Sequence, residues 1–253
     1  MMNIKIIFED NDILVIDKPA GVTVNKSDTT LNQFTIQEWA EEKLKIIHSA
    51  SSGQENQKSK VNEQSEFYSR GGIVHRLDKE TSGILIIAKN IESFEAIQKQ
   101  FKEREVKKTY LSLAHGKIIP ESGEINVPVG RLPWSRKQFG ILPGGRESKT
   151  LYKVLKLYQD PKTEEVLSLV ELYPQSGRTH QIRVHLKYIT HPVFSDFLYA
   201  GRKTSRRDRK VLPRVFLHAA KITFLHPRTG DSVSFESPLP SELLEFLNKL
   251  KKV

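Results

Sequence analysis

Short blocks of apolar residues alternate with polar turns along most of the chain. Ile-rich runs at residues 4–8 and 13–16 flank a polar stretch at residues 9–12, a pattern that predicts a β-hairpin. Further strands are predicted at residues 72–74, 83–88, 106–114, 151–158, 166–173, 222–225 and 232–235. The last two strands flank Pro227-Arg228-Thr229-Gly230, a typical hairpin turn.

Helices are predicted where apolar residues recur at helical spacing. A capping-box pattern from Thr35 to Glu38 begins the first helix, and Asn90 is expected to cap the second. The apolar positions that predict the helices are Ile36, Trp39, Ala40, Leu44 and Ile47; Phe94, Ile97 and Phe101; Ile182, Leu186 and Ile189; and Leu243, Leu244 and Leu247 behind Ser241. Strands outnumber helices and short polar turns join many of them. The pattern therefore favours an α+β fold, a mixed, largely antiparallel β-sheet with flanking helices, over a βαβ repeat.

Residues 48–67 are rich in Ser, Gln, Asn, Glu, Lys and Gly and contain almost no apolar residues. Such a segment buries too little surface to offset the entropy lost when it is ordered. Strand-like sequence resumes directly afterwards, so we interpret the segment as a flexible polar insertion within a single domain of residues 1–253. A linker between two domains is the alternative interpretation.

Composition narrows the classes of function. The chain contains no cysteine, which excludes disulfides, thiolate metal sites and cysteine nucleophiles. Lys and Arg number 40 against 30 Asp and Glu, a formal net charge of +10, which fits a nucleic-acid partner as well as it fits an ordinary basic protein. The chain has no signal-peptide pattern and no run near the ~18 apolar residues of a membrane span, so we expect a cytoplasmic location and no membrane partner.

The common phosphate-loop, dinucleotide, zinc-helix and nucleophile-elbow motifs are absent. Instead, residues 75–83 pack several charged side chains between two predicted strands. The ordinary interpretation is a solvated turn with loose surface ion pairs. The functional interpretation is that neighbouring cations keep Asp78 ionised in a cleft, ready to act as a base or nucleophile.

Two later segments offer groups for an anionic or planar ligand. Lys108-Thr109-Tyr110 begins a strand, where tyrosine is common in any case, although its ring would also give a nucleobase a flat face. Residues 177–186 place Arg178, His180 and Arg183 in the first turn of a helix, which suits phosphate or carboxylate partners. The two histidines of this segment lie on different helix faces, so metal binding is disfavoured, and hydrogen-bonded, partly buried histidines are the alternative.

Together, and in this order, the three segments resemble the RluA family of pseudouridine synthases, in a form without the N-terminal S4-like domain of many relatives. The matching stretches are Val15-Ile16-Asp17-Lys18-Pro19-Ala20-Gly21-Val22, His75-Arg76-Leu77-Asp78 with Thr81-Ser82-Gly83, Lys108-Thr109-Tyr110, residues 177–186, and Leu217-His218-Ala219-Ala220 with residues 224–230. The chain departs from the family where Thr190-His191-Pro192 and Ser195-Asp196 replace Gly-His-Pro and Gly-Asp. We expect this region to support the site rather than to supply its main catalytic groups.

The resemblance implies an enzyme that isomerises uridine within RNA by base flipping and needs neither a cofactor nor a metal. It gives Asp78 the essential role, either attack on ribose C1′ or removal of the C2′ proton. It makes Tyr110 the stacking partner of the base and a candidate base for the C5 proton, and it pairs Arg183 with Asp78. Arg76 would fill or brace the space left by the flipped base.

The expected partner is ribosomal or transfer RNA, bound by a monomer. RNA contacts are predicted for His75, Arg76, Lys108, Arg178, His180, Arg206, Arg207 and Arg209. The last three belong to a basic run at residues 202–214, in which Asp208 is the one acidic residue; a solvated loop is the alternative interpretation. The alternative function is a non-catalytic RNA-binding module or chaperone on the same fold. A glycoside hydrolase would need a second carboxylate, for which Glu80 is the close candidate.

Overall fold

The computed structural model describes residues 4–26, 33–45, 66–135 and 137–253. The strands are β1 (Lys5–Glu9), β2 (Ile13–Lys18), β3 (Ser82–Ala88), β4 (Lys107–His115), β5 (Ser122–Asn126), β6 (Val129–Arg131), β7 (Phe139–Ile141), β8 (Lys149–Gln159), β9 (Val166–Pro174), β10 (Leu217–Leu225), β11 (Ser232–Glu236) and β12 (Lys251–Lys252). The helices are α1 (Ile36–Leu44), α2 (Ile91–Glu103), α3 (Gln181–Tyr188), α4 (Arg202–Asp208) and α5 (Ser241–Asn248).

The chain forms two compact units. The first unit comprises Met1–Val106 and Ile222–Ser237, and the second unit comprises Lys107–Lys221 and Pro238–Val253. Each strand pair with a defined register is antiparallel. The predicted α+β class with a largely antiparallel sheet is therefore confirmed, whereas the assignment of residues 1–253 to a single domain stays a prediction.

The first unit is built on the strand order β1-β2-β3, and β3 is buried along its whole length. The predicted hairpin β1–β2 is confirmed. Both predicted helix caps are also present: Thr35 and Glu38 form a capping box at the start of α1, and the Asn90 side chain accepts a hydrogen bond from the Ser93 N–H at 2.8 Å. The strand predicted at residues 72–74 is reduced to an isolated bridge between Ile73 and Ile87.

Residues 48–65 of the predicted polar insertion lie outside the described residues. Residues 66–69 form a helical turn. Within this turn Phe67 is only 4% exposed and packs edge-on against Phe94 of α2, with the ring centroids 5.7 Å apart. The C-terminal end of the predicted insertion therefore contributes a side chain to the core of the first unit.

The second unit is built on the strand order β4-β9-β8-β12, with β5 paired to β8 and a separate hairpin, β6–β7. Helix α3 buries Ile182 and Leu186 against β4, β8 and β9 residues of one apolar cluster. A second cluster joins Phe194 and Phe216 to Phe246 of α5. Helix α4 was not predicted, because its sequence, Arg-Lys-Thr-Ser-Arg-Arg-Asp, has no apolar stripe. In the parts of the chain that the structure describes, no helix is long and apolar enough to span a bilayer.

Candidate active site

In the first unit, the loop that carries Asp78 is a tight turn with a fixed backbone. The Thr81 N–H donates to the Asp78 carbonyl at 3.1 Å. Leu77, Thr81 and Ser82 are buried on either side of the half-buried Asp78, while Arg76 and Lys79 are exposed. Because buried neighbours anchor both ends of the turn, the core of the unit holds the backbone that carries Asp78.

A buried lysine stabilises the same turn through hydrogen bonds. Lys18, at the end of β2, has no exposed surface. Its ammonium donates to the carbonyl oxygens of Pro19 at 2.9 Å, Val22 at 2.8 Å and Lys79 at 3.2 Å. The Lys79 carbonyl also accepts the Gly21 N–H at 2.8 Å. The segment after β2 is thereby fastened to the residue that follows Asp78.

His75, predicted to contact RNA, has its ring engaged within the first unit. Its Nε2 accepts the Ile86 N–H at 3.0 Å, and its ring stacks on Phe101 with the centroids 4.9 Å apart. An Nε2 that accepts a hydrogen bond carries no proton, so this contact fixes the neutral tautomer protonated on Nδ1. The observed contacts give His75 a role in holding the loop onto β3 and α2.

The first unit also contains a group of possible metal ligands. Asp10, Asp12 and His226 offer ligand atoms within 4.8 Å of one another. However, Arg228 donates to both oxygens of Asp12, at 2.6 and 2.7 Å, and His226 bonds to Asp10 at 2.8 Å. The hydrogen bond from Arg228 lowers the pKa of Asp12 to about 2. The cluster is a hydrogen-bonded ion-pair network, and the expectation that the protein needs no metal stays a prediction.

In the second unit, Tyr110 lies on β4 opposite Leu172 of β9 and packs half-buried against the cluster around α3. Lys108, two residues earlier, donates to the Ser176 carbonyl at 3.2 Å. Burial lowers the pKa of Lys108 to about 8. The lysine and the tyrosine of this motif are thus held beside the loop that begins the arginine motif.

That loop is organised by the side chain of Gln181. Its Oε1 accepts the Arg178 N–H at 3.0 Å and the Ser176 hydroxyl at 2.8 Å, while its Nε2 donates to Thr150 and to the Lys149 carbonyl. His180 adopts a left-handed backbone conformation with φ of 55° and precedes α3. Its Nδ1 lies 2.8 Å from the Tyr199 hydroxyl, so its ring, like that of His75, has a partner within its own unit.

Arg183 is 5% exposed and makes a bidentate ion pair with Asp196, with Nε–Oδ2 at 2.7 Å and Nη2–Oδ1 at 2.8 Å. Asp196 also accepts the N–H groups of Leu198 and Tyr199. The guanidinium carbon lies 5.0 Å from the centroid of the Tyr199 ring. Asp196 and Tyr199 were not predicted as site residues. The Ser195-Asp196 pair, which stands where the family has Gly-Asp, was the available signal for the first of them.

His185, for which the sequence disfavours metal binding, has both ring nitrogens engaged with protein groups. His185 is fully buried, with Nδ1 2.9 Å from the Thr150 hydroxyl and Nε2 3.0 Å from the Ser148 hydroxyl. Burial lowers its pKa to about 4, so the ring is neutral at physiological pH. It is hydrogen-bonded, as the alternative interpretation described, but fully rather than partly buried.

The basic run forms α4 and the turn after it, and its cations fall into two groups. Arg206 is exposed, as are Arg202, Lys203 and Lys210. Arg207 pairs with Glu165 at 2.6 Å, and Arg209 donates to the carbonyls of Ser195 and Pro213, each at 3.1 Å. The predicted RNA-binding residues Arg207 and Arg209 therefore already bind protein acceptors, although Arg207, like Arg206, is exposed.

The acid of the basic run anchors α4. Asp208 is 1% exposed, and its Oδ2 lies 3.0 Å from Nε2 of His115. Nδ1 of His115 lies 2.7 Å from Glu165. Burial opposes the charged ring, but the hydrogen bonds to Asp208 and Glu165 prevail and raise the pKa of His115 to about 9. A protonated histidine at the end of β4 therefore holds the basic helix in place.

Comparisons with known proteins point to one family. Residues 12–188 match the model described as RNA pseudouridylate synthase. The chain is 35% identical over 251 residues to Uncharacterized RNA pseudouridine synthase YlyB of Bacillus subtilis, covering 99% of this chain and 74% of that protein. It is 33% identical over 262 residues to Ribosomal large subunit pseudouridine synthase D of Neisseria meningitidis serogroup B, covering 99% of this chain but 62% of that protein.

A solved structure agrees with these relatives. Human RNA Pseudouridylate Synthase Domain Containing 1 superimposes with a TM-score of 0.72 at 26% identity, covering 99% of this chain and 89% of that chain.

Proposed function

Because this chain belongs to the RNA pseudouridylate synthase family, as its RluA-type motifs predicted, we propose that it isomerises specific uridines of structured RNA to pseudouridine. The observation that supports this most directly is the anchored turn around Asp78. The family motif is intact there, and buried Leu77, Thr81 and Lys18 fix the backbone that carries the carboxylate. An essential group in such a reaction must be held close to its productive geometry.

In the proposed reaction the bond between ribose C1′ and uracil N1 breaks, the base rotates, and a bond forms between C1′ and C5. The proton on C5 leaves and N1 gains one, so no redox partner is required. Asp78 either attacks C1′ or removes the C2′ proton. Extruding the base from the stack costs a few kcal/mol, and stacking on Tyr110 would return ~1–3 kcal/mol of this.

Arg183 is proposed to pair with Asp78 and keep it ionised, in addition to the bond that it makes to Asp196. A carboxylate beside a guanidinium stays charged through neutral pH. The name of the Neisseria relative refers to the large ribosomal subunit. We therefore propose large-subunit ribosomal RNA as the first substrate to test and transfer RNA as the second.

The decisive experiment is release of tritium from C5 of uridine in total RNA incubated with the purified protein. Wild type should release the label and Asp78→Asn should not, although both should bind RNA alike. Asp231→Asn, which alters an exposed acid of the same unit, is the matched control and should behave as wild type. Turnover by Asp78→Asn would show that Asp78 is not the essential catalytic group. A wild type that binds RNA and releases no tritium would instead support the non-catalytic module.

The target itself is found by mapping pseudouridines in cellular RNA from a deletion strain. A uridine that loses its modification in the strain, and regains it with the wild-type gene but not with Asp78→Asn, is the substrate. Sites that persist in the deletion strain belong to other enzymes.

A further inference from the structure

The second unit contains a cationic pocket outside the predicted set of catalytic residues. It has a volume of about 280 Å³ and lies between the β6–β7 hairpin, the turn before β8 and the loop before α3. Three arginines line it, Arg131, Arg146 and Arg178, and the described lining contains no carboxylate.

Glycine backbone shapes one wall of this pocket. Arg146 and Val129 exchange both backbone hydrogen bonds, at 2.9 and 3.0 Å, which ties the turn to the start of β6. A Cβ on Gly145 would lie 2.9 Å from the Leu142 carbonyl oxygen and 3.1 Å from the Val129 carbonyl carbon. Gly144 has φ of +76°, a conformation that side chains disfavour. The turn that presents Arg146 is therefore closely packed at Gly145.

A ring contact positions Arg131, and a hydrogen bond to the backbone positions Arg178. The guanidinium carbon of Arg131 lies 5.2 Å from the centroid of the Phe139 ring, which also lines the pocket. Arg178 Nε donates to the Glu147 carbonyl at 3.3 Å. A guanidinium presents a planar fork of N–H donors that matches phosphate oxygens, and its face stacks on nucleobases.

The pocket wall is connected to the predicted catalytic arginine within the same unit. The Phe139 N–H donates to the Tyr199 hydroxyl at 2.9 Å, and Tyr199 lies under the guanidinium of Arg183 at 5.0 Å. His180 packs edge-on against both Phe139 and Tyr199. Contacts through His180 and Tyr199 therefore connect the pocket wall at Phe139 to the guanidinium of Arg183.

We propose that this pocket binds a backbone phosphodiester of the RNA strand that flanks the target uridine. The proposal rests on the proposed function for the identity of the ligand. Three guanidinium groups around one cavity favour an anionic ligand, and a volume larger than a single phosphate suits a phosphate with part of its nucleotide. Glycine backbone leaves room for the strand to approach. The pocket thus fixes where the substrate strand runs relative to Arg183.

The test measures binding of a fluorescein-labelled short oligouridylate by anisotropy over a series of salt concentrations. Arg131→Gln/Arg146→Gln should bind about tenfold or more weakly, and its salt slope should be shallower by about 0.7 for each lost contact. The matched control is Lys162→Gln/Lys249→Gln, which removes the same charge from exposed positions of the same unit. Equal affinities and slopes for the two double variants would overturn the proposal.

A second arm identifies the phosphate as the recognised group. Replacing the phosphodiester linkages of the oligouridylate with neutral methylphosphonates should weaken its binding to wild type more than its binding to the double variant. The reason is that the altered linkage and the substituted arginines remove the same contact. An equal loss for both proteins would overturn the proposal. Arg146→Gln alone repeats the test with the contact between Arg131 and Phe139 intact, so an effect on hairpin folding is separated from an effect on binding.

These measurements are independent of turnover. If wild type shows the predicted binding pattern but releases no tritium, the pocket stands and the proposed function fails. If wild type releases tritium and the double variant binds as the control does, the proposed function stands and the pocket fails.

Discussion

The guanidinium of Arg183 and the carboxylate of Asp196 form a bidentate ion pair in the interior of the second unit, where Asp196 has no exposed surface. Removing Arg183 leaves the buried Asp196 without its counter-charge, although the N–H groups of Leu198 and Tyr199 still donate to it. Arg183→Met should therefore lower the free energy of unfolding by ~3–5 kcal/mol, as measured by urea denaturation. Arg183→Lys keeps a positive charge but loses the planar pair of N–H donors, so its free energy of unfolding should lie between those of wild type and Arg183→Met.

The same two variants separate stability from catalysis. Arg183→Met should also lose isomerisation under conditions in which it remains folded. A wild-type urea midpoint for Arg183→Met would show that the pair contributes nothing measurable to folding.

His115 should make the stability of the second unit depend on pH. Its pKa is raised from 6.5 to about 9 on folding, so the folded state holds the proton more tightly. The stabilisation is full below pH 6.5 and is lost as the pH rises through 9. The stability difference between wild type and His115→Gln should be about 3 kcal/mol at the acidic end of this window and should shrink above it.

Thermal melts of both proteins across this range of pH provide the measurement. Glu165→Gln is the comparison variant, because Glu165 is more exposed than Asp208 and should contribute less. A difference between wild type and His115→Gln that stays constant with pH would mean that the ring is not protonated in the folded protein.

Lys18 should act as a positioning residue for Asp78. Lys18→Met leaves the carbonyl oxygens of Pro19, Val22 and Lys79 without their buried donor, at a cost of roughly 1–3 kcal/mol for an unsatisfied group. Because Lys79 follows Asp78, kcat should fall while the affinity for RNA changes little. Lys5→Met, an exposed lysine of the same unit, should leave both unchanged. A selective loss of RNA affinity in Lys18→Met would argue for a binding role instead.

The two groups of cations in the basic run should behave differently on substitution. Changing exposed Arg202, Arg206 and Lys210 to Ser should weaken RNA binding and flatten its salt dependence, with single-turnover rates at saturating RNA nearly unchanged. Changing Arg207 and Arg209 to Ser should mainly lower the melting temperature, because these side chains bind Glu165, Ser195 and Pro213. An unaltered salt slope in the first variant would place the RNA path elsewhere.

Local patterns in the sequence predicted the regular elements well because their signals are themselves local. Thr35 with Glu38, and Asn90 with Ser93, meet within one helical turn, and they cap α1 and α2 as predicted. Strands β6 and β7 were missed because each has only three residues, too few for an alternating pattern to be recognised.

Tertiary contacts account for most of what the sequence did not reveal at the site. Lys18 ends β2 in the core, where a lysine is unusual, because three carbonyl oxygens satisfy its ammonium. The partner of Arg183 lies thirteen residues away on a turn, and α4 depends on the contact of Asp208 with His115. These contacts form only in the tertiary structure, so residue spacing alone does not identify them.

The burial of Asp208 also changes how the molecule would meet a polyanion in solution. An imidazolium inside the protein compensates the one negative charge of the basic run, so exposed cations dominate the electric potential outside α4. A helix of this length is about 10 Å long, close to the Debye length of ~8 Å at physiological ionic strength. Arg202, Lys203 and Arg206 therefore attract an approaching polyanion collectively. Added salt should slow the encounter of the two molecules far more than it slows any later step.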